Sequence, residues 1–284
     1  MRTEAFSSGN KEQEGFFFVA SLKACAKKKD LYKGIKLHHD IQEKGLLEKS
    51  PYLASSLINM YSKCGVLCEA QKVLEELPIR DVVSWSALIS GYAQHGLGHK
   101  ALVCFERMKR DGFSPNVITF TSLLKACGSI RCVKLGEKIH EEIESQGLLE
   151  KDTVLGTALV DMYAKCGLLT KAQEVLEDLP FRDIVAWSAL ISGYAEEGQG
   201  CEALNCFERM KHEGLSPDRI TFICLLKACG KSRSIGKGKQ IHEEIVSSGL
   251  LEKNDVILGS ALVDMYAKCA LLTKALEVLE ELPV

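Results

Sequence analysis

The feature that most constrains this chain is internal repetition. Trp85-Ser-Ala-Leu-Ile-Ser-Gly-Tyr92 returns as Trp187-Ser-Ala-Leu-Ile-Ser-Gly-Tyr194, an offset of 102 residues. His38, His140 and His242 keep that offset, as do Cys64 and Cys166; Cys269 follows Cys166 by 103 because Asn254 is inserted between Lys253 and Asp255. A unit of about 102 residues therefore appears almost three times in 284. A period of this kind specifies supersecondary units stacked in a row, each burying its apolar face on its neighbours.

Each unit divides into three segments of unequal length. Residues 82–116 and 184–218 are 35 long, 117–152 and 219–255 are 36 and 37 long, and 51–81 and 153–183 are 31 long. The chain opens with a long segment at 15–50 and closes inside a short one at 256–284. Within Val82–His95, Trp85, Leu88, Ile89 and Tyr92 fall on one helical face. Gly96 and Gly98 supply a break, and Ala101, Leu102, Phe105 and Met108 line a second helix. Ser114-Pro115-Asn116 ends the pair, since proline cannot continue a helix. No segment alternates like a strand. The pattern predicts an all-α solenoid of about sixteen antiparallel helices in eight helix-turn-helix repeats. Residues 15–284 are expected to form that single solenoid, with 1–14 as a poorly ordered tail.

Composition removes several function classes. The formal net charge of −2 argues against a non-specific nucleic-acid coat, but leaves room for a local positive groove. No run reaches the roughly 18 apolar residues of a membrane span, so no membrane partner is expected. Met1–Glu14 has neither the apolar core of a signal peptide nor the Arg-rich, acid-poor look of a transit peptide. The twelve cysteines include no Cys-x-x-Cys, and Cys64/Cys68, Cys201/Cys206 and Cys224/Cys229 match no zinc-finger spacing. Most recur at fixed places in the repeats, as small apolar residues between helices do. Reduced core thiols in a reducing compartment, with no metal and no cofactor, are expected.

On these residues the chain resembles the pentatricopeptide repeat family, in its plant-type subclass where ordinary (P), long (L) and short (S) repeats alternate. The P pattern is similar at Trp85, Leu88, Ile89, Tyr92, Ala101, Phe105, Met108, Gly112 and Pro115. The L pattern is similar at Thr119, Phe120, Leu124, Lys125, Ala126, Cys127, Gly136, Ile139 and His140, and the S pattern at Leu159, Met162, Tyr163, Lys165, Cys166, Gly167, Ala172, Leu179 and Pro180. The assigned order is L 15–50, S 51–81, P 82–116, L 117–152, S 153–183, P 184–218, L 219–255 and a partial S 256–284. The competing reading is the tetratricopeptide repeat, a protein-binding scaffold. Its small Gly is replaced here by Ile89 and Ile191, its second-helix Ala by Met108 and Met210, and lengths of 35, 36 and 31 break a fixed repeat.

The resemblance implies sequence-selective binding of single-stranded RNA, one base per repeat. It implies that the fifth and last residues of a repeat meet the Watson–Crick edge of a base, while the second packs on its ring. Unpaired bases expose both features. The fifth and last pairs are Ser55/Asp81, Ser86/Asn116, Thr157/Asp183 and Ser188/Asp218, with Ser260 as a fifth residue alone. The L repeats offer Val19/Ser50, Thr121/Asp152 and Ile223/Asp255, and read poorly in this subclass. Tyr52, Val83, Val154, Val185 and Ile257 are the base-packing residues. Asp offers acceptors only, which suits guanine; Asn offers a donor and an acceptor, which suits adenine. The implied target is purine-rich, 5′ any-G-A-any-G-G-any-purine 3′. The same Asp and Asn residues are also ordinary helix N-caps, and the two roles can coexist.

Lys63, Lys165 and Lys268 sit near the ends of the S-repeat groove helices, where they could meet phosphates or merely complement the helix dipole. Relatives of this subclass often end in a cytidine-deaminase-like domain, which needs His-x-Glu and Pro-Cys-x-x-Cys. His140-Glu-Glu142 and His242-Glu-Glu244 meet the first half alone, so structural histidines and no catalytic residue are expected. The resemblance implies a mitochondrial or chloroplast editing factor, with accessory proteins or a deaminase supplied by another chain or by a region C-terminal to this one. Ala270 stands where Gly65 and Gly167 stand, which predicts a less comfortable last turn. Val278, Leu279 and Leu282 are expected on an uncovered apolar face of the last helix.

Overall fold

The computed structural model describes residues 3–47, 50–149, 152–251 and 255–281, with side chains from Glu14 onward apart from Pro51. Sixteen α-helices and no strand occur among the described residues. They form two compact units, Met1–Ile130 and Arg131–Val284. The first holds α1 (Thr3–Lys28), α2 (Leu31–Glu43), α3 (Pro51–Lys63), α4 (Leu67–Glu76), α5 (Val82–Gln94), α6 (Gly98–Arg110) and α7 (Val117–Ser129). The second holds α8 (Val133–Ser145), α9 (Thr153–Lys165), α10 (Leu169–Asp178), α11 (Ile184–Glu196), α12 (Gly200–His212), α13 (Arg219–Ser232), α14 (Ile235–Ser247), α15 (Val256–Lys268) and α16 (Leu272–Glu281).

Two features depart from the sequence reading. Helix α1 starts at Thr3, so residues 3–14, read as a tail, are helical. Lys11-Glu-Gln-Glu14 are good helix formers and no proline interrupts the stretch, which outweighs its lack of an apolar stripe. The residues also group into two compact units, a division the repeat pattern does not mark, with the boundary between the two helices of segment 117–152. The repeat pattern runs through residue 130 without a break, so periodicity carried no signal for it.

Where a segment ends in Asp or Asn, that side chain caps the next helix. Asp81 Oδ1 accepts the Ser84 N–H at 2.7 Å, Asn116 that of Thr119 at 2.9 Å, Asp183 that of Ala186 at 2.8 Å and Asp218 that of Thr221 at 2.8 Å. Such a cap contributes on the order of 1 kcal/mol. The turn inside a pair needs a left-handed residue, met by Gly65 at φ 81° and Gly167 at φ 76°, but by Ala270 at φ 60°. A Cβ in that conformation costs about 1–2 kcal/mol, partly offset by alanine's smaller unfolded-state entropy. Ala270→Gly should therefore raise stability by about 0.5–1 kcal/mol, read as a higher urea midpoint at unchanged slope.

In the first unit α1, α3, α5 and α7 pack side by side in that order; in the second α9, α11, α13 and α15 do the same. Their contact is a recurring fully buried pair: Leu57 and Ile58, Leu88 and Ile89, Leu123 and Leu124 in the first unit, then Leu159 and Val160, Leu190 and Ile191, Leu225 and Leu226. The intervening helices form an outer row, contributing Ala101, Phe105 and Met108 from α6 and Ala203, Phe207 and Met210 from α12. Neighbouring segments are also tied at the edge, where Tyr92 Oη donates to Gln71 at 2.5 Å and Tyr194 Oη to Gln173 at 2.8 Å. On α16, Val278 is buried and Leu279 is exposed, so the expected apolar face is only partly open; Leu282 lies outside the described residues.

The two 35-residue segments differ at one buried donor. Trp187 Nε1 donates to Glu213 Oε2 at 2.9 Å, whereas Trp85 Nε1 is buried without a partner. The residue equivalent to Glu213 is Asp111, one methylene shorter; it pairs with Arg80 at 3.5 Å, as Glu213 pairs with Arg182 at 3.0 Å. An unsatisfied buried donor costs about 1–3 kcal/mol. Asp111→Glu should recover about 1 kcal/mol of this, and chemical denaturation that shows no gain would contradict the assignment.

Candidate nucleic-acid interface

An exposed apolar residue recurs at the second position of every segment. In the first unit these are Phe16 (76% exposed), Tyr52 (73%), Val83 (50%) and Ile118 (60%); in the second, Val154 (56%), Val185 (58%), Ile220 (60%) and Ile257 (60%). Single exposed apolar residues need no explanation. Their return at one register position, on helices whose other large apolar residues are mostly buried, is not dictated by packing. The sequence reading named Tyr52, Val83, Val154, Val185 and Ile257 but omitted Phe16, Ile118 and Ile220. The signal for these three was the same position in the long segments.

The polar candidates fall into two groups. In the 35-residue segments Ser86 and Ser188 are buried and joined to the last residue through a threonine. Ser86 Oγ lies 2.7 Å from Thr119 Oγ1 and 3.5 Å from Asn116 Oδ1, and Thr119 Oγ1 donates to Asn116 Oδ1 at 2.9 Å. Ser188 Oγ lies 2.7 Å from Thr221 Oγ1, which donates to Asp218 Oδ1 at 2.8 Å. The Ser86 hydroxyl has one proton to share between the Val82 carbonyl at 2.7 Å and the threonine oxygen. In the other segments the fifth residue is less buried and turns to its own helix. Ser55 donates to the Tyr52 carbonyl, Thr121 to Val117, Thr157 to Thr153 and Ser260 to Val256.

The Asp and Asn last residues are all caps, and their capping bonds use Oδ1. Asp152 accepts from the Val154 N–H at 2.9 Å, and Asp255 accepts from Ile257 and Leu258 while pairing with Arg219 at 2.7 Å. With Oδ1 engaged, the second carboxylate oxygen of Asp81, Asp183 and Asp218 and the amide nitrogen of Asn116 are the groups left to face a ligand. Capping therefore leaves a different atom of the same side chain to face a ligand. Val19 and Ile223 are half-buried, and Ser50 makes no side-chain cap bond.

The three candidate phosphate lysines are exposed but not equivalent. Lys165 pairs with Asp161 and Lys268 with Asp264, each at 2.6 Å, whereas Lys63 donates to the neutral Gln94 at 2.7 Å. Only Lys63 among these keeps its charge unopposed by its hydrogen-bond partner. The histidines of the His-Glu-Glu runs are packing groups. His140 Nδ1 meets the Tyr163 hydroxyl and His242 Nδ1 the Tyr266 hydroxyl, each at 2.9 Å, and His38 meets Tyr61 at 2.8 Å. Burial lowers the pKa of all three histidines and pushes Tyr61 and Tyr163 up to about 12, so these rings are neutral near pH 7. Each neutral Nδ1 shares one hydrogen bond with its tyrosine hydroxyl, in the direction its tautomer sets.

Comparison with known proteins gives the same answer as the repeats. A model of the PPR repeat family matches residues 80–129 and 182–231, and a PPR repeat model matches 118–148, 157–184 and 220–250. Among relatives, a chloroplastic pentatricopeptide repeat-containing protein of Arabidopsis thaliana is 36% identical over 94% of this chain and 43% of its own length. A mitochondrial one from the same plant is 38% identical over 94% of this chain and 42% of its own length. This chain thus spans less than half the length of those relatives. The solved structure of the pentatricopeptide repeat protein PPR10 in complex with an 18-nucleotide psaJ RNA element superposes with a TM-score of 0.70. It shares 23% identity over 88% of this chain and 37% of the other, a likeness of fold. With both family models recurring across its repeats, the chain belongs to the pentatricopeptide repeat family.

Proposed function

We propose that this chain binds single-stranded RNA sequence-selectively, taking one base per repeat as the targeting part of an organellar RNA-processing or C-to-U editing factor. The observation that carries the reading is the series of exposed apolar second residues, one per segment, beside polar fifth and last residues in the 31- and 35-residue segments. An apolar side chain at that place can lie on the face of a splayed base while the neighbouring polar atoms address its edge. The RNA held by PPR10 supports the partner class. The alternation of 35-, 36- and 31-residue segments supports the P, L and S subclass, and the chloroplast and mitochondrial relatives support an organellar setting. The target is 5′ any-G-A-any-G-G-any-purine 3′, with Lys63 the strongest of the three candidate phosphate contacts. Editing accessory proteins act in this reading as partners, and a deaminase is supplied by another chain or by a region C-terminal to this one.

A single strand carrying that sequence should bind at least tenfold better than its duplex, because base packing supplies on the order of 1–3 kcal/mol per base and the duplex withholds it. Few phosphates are neutralised, so the salt dependence should be shallow. Equal affinity for single strand and duplex, or no RNA binding, would defeat the reading and leave a protein-binding scaffold.

A further inference from the structure

Resting on that reading, we propose that Thr119 and Thr221 are positioning residues for base selection, holding the fifth and last residues of the 35-residue segments together as one reading unit. Each is the third residue of the segment that follows, so neither belongs to the repeat whose base it affects. Both are fully buried, and each hydroxyl lies between the two groups in question. Thr119 Oγ1 is 2.7 Å from Ser86 Oγ and 2.9 Å from Asn116 Oδ1; Thr221 Oγ1 is 2.7 Å from Ser188 Oγ and 2.8 Å from Asp218 Oδ1. The arrangement occurs once in each compact unit.

Packing alone does not call for these hydroxyls, although that of Thr119 also accepts the Asn116 backbone N–H at 3.2 Å and closes a capping box. The third position of α11 holds Ala186, fully buried at the same place in the helix and capped by Asp183 in the same way. The third positions of α3, α9 and α15 hold Leu53, Leu155 and Leu258, all buried. A helix start of this kind therefore packs with Ala, Leu, Thr or, at Ser84 of α5, a buried serine, and the threonine appears after the two segments whose fifth residue is a buried serine. The backbone N–H of Thr119 already satisfies the cap at 2.9 Å. Its hydroxyl adds a second bond to the same oxygen and ties that oxygen to Ser86. Two bonds fix the side-chain torsions of Asn116 more tightly than one, and they keep Oδ1 turned inward with the amide nitrogen outward. Asp218, held identically, turns its free oxygen outward. One framework thus presents a donor in the first unit and an acceptor in the second.

The consequence is a loss of discrimination rather than of fold. Thr119→Val keeps the shape and removes the oxygen; Thr119→Ser keeps the oxygen. The measurement is the affinity of wild type and both variants for two single-stranded RNAs that differ only in adenine or guanine at the base assigned to residues 82–116. Wild type should prefer adenine by about tenfold. Thr119→Val should reduce this ratio to about threefold or less, Thr119→Ser should restore it, and both variants should keep the wild-type preference at the base assigned to residues 184–218. A purely structural role would weaken both RNAs together and leave the ratio. Full discrimination by Thr119→Val, or a serine variant that fails to restore it, overturns the positioning role alone. A wild type that shows no preference at this base overturns the underlying base-reading proposal instead.

Discussion

Asn116→Asp is expected to move the preference of the first 35-residue segment from adenine to guanine. The second such segment is the built-in precedent. It carries Asp218 in the same cap, with the same threonine and serine at matching distances and the same tryptophan framework. Asn and Asp cap helices about equally well, so the variant should fold with little change in stability. What changes is the outward atom. The amide donor that can meet the ring nitrogen of adenine becomes a carboxylate oxygen, which suits the ring N–H and amino group of guanine. A polar mismatch at a desolvated edge costs about 1–3 kcal/mol, so the ratio of the two affinities should invert by tenfold or more. Equal weakening of both RNAs would reduce Asn116 to a helix cap.

A second large effect is expected at the apolar positions. Val83 and Val185 are 50% and 58% exposed, so neither is needed for the core. Changing both to Asp should leave the melting temperature nearly unaltered, since acidic residues in a first helical turn complement the dipole. RNA binding should fall by about a hundredfold, because two bases lose their apolar contact and a carboxylate approaches the phosphate backbone. The informative comparison is with Val103→Asp on α6, also exposed at 60% but on the outer row of helices. That variant should bind RNA as wild type does. Equal losses at both places would mean that net charge, not the second-residue series, governs affinity.

Much of this was legible in the sequence because repetition turns one pattern into several observations. The helix pairs around Trp85 and Trp187, the left-handed glycines at 65 and 167 and the Asp caps at 81, 183 and 218 all follow from local propensity and period. The strained Ala270 turn was readable because its two counterparts are glycine. Residues 3–14 were misread because a helix without an apolar stripe offers no periodic signal. The boundary near residue 130 left no trace, since sequence similarity continues across it. The candidate site was legible as positions but not as geometry. Nothing in the spacing of Ser86 and Asn116 announces that a threonine joins them, or that Lys165 and Lys268 are opposed by Asp161 and Asp264 while Lys63 faces an amide. These depend on which atoms the packed helices bring together.

The most direct test of one base per repeat is to select RNA from a randomised single-stranded pool with this protein and sequence what survives. The proposed reading predicts an enriched 5′ G-A-any-G-G 3′ core, with the adenine set by residues 82–116 and the last guanine by 184–218. In the same experiment Asn116→Asp should replace that adenine with guanine and leave the other positions as they were. Survivors without a common core, or a core whose spacing does not follow the order of the repeats, would contradict it.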